Sequence, residues 1–431
     1  MSRLSAVRQR VGLAVRVLLG PPVKPGRVLG QSDGEVIEEE GAARTTPCPS
    51  DSILALDRCP LCGHPERTLV GEFNRFVHFA KPPDEQSLRA DYSLCHGCGA
   101  VYAARRPVGP RYRWLFDHFE EALGRLQPGQ KRKGKFAISS GTLSDEDREH
   151  LRRLASRGVF ITEQDRPSRK EYLPGLLTDR LAASVHVEIL GSLLDLKGGR
   201  VLEVRSRLGS IPAALKRLYG ADVFAMAIFE AQQFLINEVY GIPASGIDFD
   251  RFEIPYDGPF DLIICNHMLT HAVRPGEMLG ALHQRLAPGG HVYFYGEPDD
   301  AEILVEGKSM FNTLNAFHLQ TFDAPAITRA LTANGFRPVF VTHHEGHVLC
   351  LAQAAERSDA WLRMAPADLQ ARRESYLHAR DAALLMLPEN ARMRVGDDFQ
   401  AAVDRALKAG RAEVSPGGRI RVRRGDRSDR P

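Results

Sequence analysis

The chain has 431 residues, 43% hydrophobic and 26% charged, with a formal net charge of +3. That length suggests two or three domains with at least one large core, and the composition excludes a disordered or collagen-like chain. The charge is too small to imply nucleic acid, and no apolar run reaches the length of a membrane-spanning helix. Residues 3–18 place Leu4, Val7, Val11, Ala14, Val15 and Leu18 at helical spacing, with Arg3, Arg8, Arg10 and Arg16 largely elsewhere around the helix. Three readings fit: an amphipathic helix in peripheral contact with an anionic membrane, a helix packed on the protein, or a frayed terminus. Arg16 interrupts the apolar stretch and no small-residue cleavage site follows, so a signal peptide is rejected. Residues 1–52 are therefore expected to be this helix and a Gly-, Glu-, Ser- and Pro-rich linker.

Residues 53–126 hold two Cys-x-x-Cys-Gly knuckles, Cys59-Pro-Leu-Cys62-Gly63 and Cys95-His-Gly-Cys98-Gly99. Two thiolates two residues apart grip one metal from a tight turn, and two such turns complete the tetrahedral shell that zinc prefers. The spacing predicts a structural zinc on Cys59, Cys62, Cys95 and Cys98, with His64 and His96 as spare candidates. A secreted disulfide framework would not be spaced this way, so a reducing cytoplasm is expected. Residues 127–196 read as linker and helices, with Ser144 capping a helix that runs through Leu154.

From Gly198 the pattern alternates. Strands are expected at Val201–Val204, Val223–Ala227, near Gly246–Phe249, and at Phe260–Asn266, His291–Tyr295, Pro338–Thr342 and Val348–Gln353. Helices are expected at Ile211–Tyr219, Glu230–Tyr240, Glu277–Leu286 and Ala324–Ala333, the last capped by Asp323 and stopped by Asn334-Gly335. Alternation of this kind predicts an α/β, Rossmann-like sheet with helices on both faces, spanning 197–355. The five residues His-His-Glu-Gly-His (343–347) permit only an antiparallel final pair. Helices divided around Pro388 should follow at 356–410, then a disordered basic tail at 411–431.

Three segments resemble class I S-adenosylmethionine-dependent methyltransferases: Gly198-Gly-Arg-Val-Leu-Glu-Val204, Pro259-Phe-Asp-Leu-Ile-Ile-Cys-Asn-His-Met-Leu-Thr-His271 and Leu286-Ala-Pro-Gly-Gly-His-Val-Tyr-Phe294. The double knuckle, with Val101-Tyr-Ala-Ala-Arg-Arg-Pro107 behind it, is similar to the zinc module of some members, including deoxysugar C-methyltransferases. The resemblance implies S-adenosylmethionine as cofactor and a small-molecule or sugar-nucleotide acceptor. It places Glu203, Gly209, Asp248, Asp250 and Asn266 around the cofactor. The family's Gly-x-Gly-x-Gly turn here reads Arg205-Ser-Arg207-Leu-Gly209, and Ala227 stands where an acid would take the ribose hydroxyls, with Glu230 one turn later. Arg205 and Arg207 could pair with the cofactor's carboxylate, bind a different anion, or fill the pocket of a domain that no longer methylates. Candidate bases are His318, His271 and Glu297, near the carboxyl ends of the strands where ligands sit in such folds. His343, His344 and His347 read as a hairpin turn. The alternative function is a non-catalytic binding or scaffold protein on a degenerate methyltransferase fold.

Overall fold

The computed structural model describes residues 53–74, 89–110, 173–300, 317–344, 346–360, 362–385 and 389–410, the short pieces 36–38, 112–113, 130–132, 412–414 and 420–422, and isolated positions between 145 and 152. The expected membrane-contact helix at residues 3–18 lies outside them. Among the described residues, no helix is long and apolar enough to cross a membrane.

In chain order the strands are β1 (Val36–Glu38), β2 (Ile53–Ala55), β3 (Arg67–Asn74), β4 (Arg89–Cys95), β5 (Val101–Ala103), β6 (Arg105–Pro107), β7 (Gln130–Arg132), β8 (Arg200–Val204), β9 (Asp222–Ala227), β10 (Ala244–Gly246), β11 (Phe260–Asn266), β12 (Leu286–Pro298), β13 (Gln320–Thr321), β14 (Phe336–His344), β15 (His347–Ala354), β16 (Ala412–Val414) and β17 (Ile420–Val422). The helices are α1 (Leu173–Leu193), α2 (Ser210–Tyr219), α3 (Glu230–Phe234), α4 (Pro275–Arg285), α5 (Ala324–Ala333), α6 (Pro366–Leu385) and α7 (Glu389–Lys408).

The central sheet has seven strands in the order β10-β9-β8-β11-β12-β15-β14, parallel except where β15 enters antiparallel to β12 and β14. Its central strands are mainly apolar because both faces are covered, and successive side chains divide between two cores. Leu202, Val204, Ile263, Cys265, Val292 and Phe294 face one side, where Met278, Leu279 and Leu282 of α4 and Ile327 and Leu331 of α5 pack. Val201, Leu262, Ile264 and Tyr293 face the other, against Val187 and Leu190 of α1 and Ile211 and Leu215 of α2. The Rossmann-like α/β sheet expected from alternation is thus present, with helices on both faces.

Several boundaries differ from the sequence expectation, for local reasons. Strand β12 begins five residues early, since Leu286 pairs with Phe260 before a bulge resets the register to Leu262–His291. Strand β10 stops at Gly246 because Asp248 Oδ1 accepts from the amides of Asp250 and Arg251, folding the chain into a turn. Helix α3 passes into a π-helical turn at Leu235–Val239 rather than running on as α-helix. In α5 the Asp323 carboxylate accepts from Ala326 N at 2.8 Å, the expected cap. The tail is not wholly irregular: β16 and β17 pair antiparallel, as their short apolar–polar–apolar alternation allows. Nor are the expected linkers within 1–52 and 127–196 without strands, since β1 pairs with β7. Positions 145, 148, 149 and 152 are helical, within the helix expected to run through Leu154.

The knuckle-bearing segment forms a four-stranded sheet, β13-β5-β4-β3, whose edge strand β13 comes from the segment between β12 and β14 of the large sheet. The two units share one core, in which Cys59, Leu61 and Tyr102 join Leu279 and Leu331. Buried Arg106 ties them further. Its Nη1 donates to Val273 O at 2.7 Å and Gln320 Oε1 at 3.0 Å, and its Nε and Nη2 donate to Ala103 O. Arg372 of α6 bonds the carboxylates of Asp300 and Asp323, and its Nε donates to Gly99 O at 2.8 Å. Burial raises the pKa of Asp300, and Arg372 opposes that rise. Removing one partner of such a buried pair strands a charge. Arg372→Met is therefore expected to destabilise the protein by about 3–5 kcal/mol, read as a lowered denaturation midpoint.

Candidate active site and metal centre

The carboxyl edge of the sheet carries the first site. After β8 the backbone turns at Arg205, with φ 61°, and enters α2 through Gly209, with φ 78°. A left-handed conformation costs a non-glycine residue roughly 1–2 kcal/mol, so Arg205 holds a backbone shape that glycine would adopt without strain. Gly209 is doubly required, since a Cβ there would lie 2.8 Å from Ile236 and 3.0 Å from Tyr240.

The Arg205 side chain crosses the crevice between β8 and β11. Its Nη1 donates to His267 O at 2.8 Å and Asn266 O at 3.4 Å, while Asn266 Nδ2 donates back to Arg205 O at 3.4 Å. Burial, with Arg207 nearby, lowers the guanidinium's pKa to about 10, so it remains charged at neutral pH. Arg207 is exposed. It lines a cavity of about 30 Å³ with His186, Glu203, Gly209, Ser210 and Tyr295, in which Tyr295 Oη donates to Glu203 Oε1 at 3.1 Å.

The turn after β11 is set by Glu297, which is fully buried. One carboxylate oxygen accepts from the amides of Met268 (2.6 Å) and Leu269 (2.8 Å), the other from Thr270 N (3.1 Å) and Oγ1 (2.8 Å). Burial pushes its pKa up and these donors pull it down. Glu297, expected as a third candidate base, is instead a positioning residue: its oxygens are committed to the loop. His267 within that loop holds φ 49°.

His271 and His318 do meet, with ring centroids 5.0 Å apart, and His267 joins them at 4.4 and 4.9 Å. The His271 Nδ1 is 2.9 Å from Phe317 O, which fixes the tautomer with Nδ1 protonated. Burial first, then neighbouring positive charge, holds His267 and His271 well below the ordinary histidine pKa, so both rings are neutral at pH 7.

Beside this cluster a cavity of about 340 Å³ is lined by Gly109, Pro110, Tyr112, Arg113, Ile228, Ile247, Asp248, Phe249 and Asp250. It adjoins the histidines through two walls. The Phe249 ring lies 5.9 Å from that of His271, and Tyr112 Oη donates to His271 O (2.6 Å) and Phe317 O (3.0 Å). Asp248 and Asp250 both line the cavity; Asp248 also closes its own turn and Asp250 Oδ1 lies 3.5 Å from Arg274 Nη1. Ala227 is wholly buried in the sheet's apolar core, and the residue reaching the cavity is Ile228. Glu230, one turn later, is exposed and paired with Arg148 at 2.6 Å.

These residues fit S-adenosylmethionine in part. The nucleoside side has an open, half-polar cavity at the ends of β9 and β10. The methionine side, against the turn after β8, is filled by Arg205. Tyr112, Arg113 and His186 were not among the sequence candidates. They come from outside the alternating segment, and an aromatic stretch near Tyr112 was the one signal pointing to them.

The second site is the cysteine cluster. One sulfur from each of Cys59, Cys62, Cys95 and Cys98 lies within 4.8 Å of the others, with Cys59–Cys98 at 3.8 Å and Cys62–Cys95 at 3.5 Å. Tetrahedral zinc with ~2.3 Å bonds needs sulfurs about 3.8 Å apart, so the residues fit the ion. Gly63 and Gly99 take φ 75° and 83°, and strands β3 and β4 fill the gap between the knuckles. His96 Nε2 is bonded to Thr68 Oγ1 at 2.7 Å, and neither His96 nor His64 belongs to the cluster. A closed four-thiolate shell has no open position, which makes the role structural. One zinc per chain is expected by elemental analysis. Cys62→Ser should lower zinc occupancy and increase amide exchange in 53–74 and 89–107, while β8–β12 stay protected.

Residues 172–341 match the family model of a methyltransferase domain. A curated relative, the ubiquinone biosynthesis O-methyltransferase of Aromatoleum aromaticum, is 29% identical over 103 residues, 23% of this chain and 44% of that enzyme. The chain thus spans less than half the length of that relative. Among solved structures, an S-adenosylmethionine-dependent methyltransferase from Mesorhizobium loti aligns at 16% identity and TM-score 0.33, over 41% of this chain and 97% of that one. The Burkholderia thailandensis 1,6-didemethyltoxoflavin-N1-methyltransferase aligns at 18% and 0.33, over 50% and 92%. The segment 172–341 thus matches the model of a methyltransferase domain and contains most of the seven-stranded Rossmann-like sheet.

Proposed function

We propose that the protein is an S-adenosylmethionine-dependent methyltransferase acting on a small-molecule acceptor. The observation that carries this is the 340 Å³ cavity at the carboxyl ends of β9 and β10, which shares walls with the histidine cluster. A nucleoside-sized cavity at that edge is where this sheet class takes its ligands. Ile228, Ile247 and Phe249 would hold the adenine ring between apolar walls, and Asp248 or Asp250 would accept from its amino group. When bound, S-adenosylmethionine supplies an electrophilic methyl group. The chain's own contribution is a pocket walled in part by Tyr112 of the knuckle-bearing segment, with the neutral imidazole of His271 and the ring of His318 beside it to orient an acceptor and take its proton. A sugar-nucleotide acceptor is supported by the likeness of the zinc module to that of deoxysugar C-methyltransferases. A cytoplasmic location is supported by the reduced, metal-spaced cysteines.

The second reading, a non-catalytic binding protein, is favoured by Arg205. Of the roles open to that arginine, the fill of the crevice is the one supported by its bonds to Asn266 O and His267 O. To admit the methionine moiety it must leave them, at a cost of about 1.5–3 kcal/mol for hydrogen bonds from a charged group. Calorimetric titration with S-adenosylmethionine should therefore show weak wild-type binding. Arg205→Gly should bind roughly tenfold to a hundredfold more tightly. Weaker binding by the variant would mean that Arg205 grips the cofactor. Undetectable binding by both proteins at millimolar ligand would favour the scaffold reading.

A further inference from the structure

The zinc reading accounts for the cysteines and the cofactor reading for the cavity, but neither uses the three histidines as a set. One ring nitrogen from each of His267, His271 and His318 lies within 4.8 Å of the others. An ion bound by three imidazoles at ~2.0–2.1 Å would hold those nitrogens about 3.0–3.4 Å apart, so modest rotation of the half-exposed His318 and His267 rings closes the cluster.

Three independent features suit a metal. His267 sits in a left-handed conformation, with φ 49°, which a non-glycine residue keeps only where surrounding structure imposes it. Glu297 imposes it here, by holding the next three amides. The His271 ring donates its Nδ1 proton to Phe317 O, which leaves Nε2 as the coordinating lone pair, the arrangement in which metal-binding histidines are usually held. The His267 Nε2 is buried with no hydrogen-bond partner among the described residues. A buried ring nitrogen without a partner is costly unless something binds it.

From this geometry we propose that His267, His271 and His318 form a second metal site, for a divalent first-row transition ion of the zinc, cobalt or nickel class that imidazole ligands favour. Three protein ligands leave coordination positions open, unlike the closed cysteine shell. Given the proposed function, on which this clause alone rests, the ion would offer those positions to an oxygen of the acceptor and lower the pKa of its hydroxyl. Arg205, whose positive charge faces His267 and His271, disfavours a bare dication, so the site suits an acceptor that brings negative charge of its own.

The test adds Co²⁺ to tag-free, full-length protein that already carries its zinc. The expected result is saturable uptake of one further equivalent, with weak visible bands and no near-ultraviolet thiolate charge-transfer band. His318→Gln and His271→Gln should each weaken this uptake at least tenfold while retaining the first zinc. His343→Gln, in the β14–β15 hairpin, should leave it unchanged. His318 is partly exposed, so its variant should fold whatever befalls the His271 one. No saturable uptake at millimolar Co²⁺, or uptake that both cluster variants leave intact, overturns the site. Titration of the same preparation with S-adenosylmethionine reads the methyltransferase proposal separately: cofactor binding without cobalt uptake removes only the metal site, and cobalt uptake without cofactor binding removes only its acceptor role.

Discussion

The buried carboxylate of Glu297 is the constraint around which the active edge is arranged. It lies at the end of β12 and gathers three consecutive amides and a hydroxyl from the turn after β11. A charge removed from water is tolerated only when its oxygens are fully bonded, and here the turn supplies those bonds. Because the carboxylate fixes Met268–Thr270, it also fixes where His267 and His271 point. The carbonyls of Asn266 and His267 are then free to receive Arg205, so one buried acid determines both the shape of the crevice and what fills it.

The knuckle-bearing segment belongs to this arrangement rather than standing beside it. Arg106 reaches across to Val273 O and Gln320, and Tyr112 reaches His271 O and Phe317 O. Asn334 Nδ2 donates to Leu61 O at 2.6 Å, and Arg329 Nε to Cys98 O at 2.8 Å. A structural zinc would therefore stiffen more than its own loops. By holding β3–β6 together it would hold the strand that leads into Tyr112, one wall of the cavity.

Arg205 shows how one residue sets both the backbone and the chemistry of a turn. Its left-handed conformation carries a modest cost, and the crevice that a glycine would leave open is occupied by its guanidinium. Arg207, two residues on, points outward and lines a space the size of a water molecule. The two arginines, equivalent in the linear pattern, are not equivalent in the fold.

The sequence by itself determined the elements whose causes are local. Apolar runs of strand length, helix caps such as Asp323 and paired Cys-x-x-Cys-Gly turns each depend on neighbours a few residues away, so the sheet, its helices and the sulfur cluster were legible. The ends of β10 and β12 were not, since a side-chain turn and a bulge set them. Only the tertiary structure decided the roles of Glu297, Arg205, Tyr112 and His267. Glu297 reads as a candidate base from its place after a strand, yet amides 27–29 residues away claim it. Arg205 reads as an anion partner or as a fill of the pocket, and its bonds to carbonyls 61 and 62 residues away support the fill. A side chain's chemistry is set by which groups the fold brings within hydrogen-bond distance, and that pairing between distant segments has no signature in the linear order of residues.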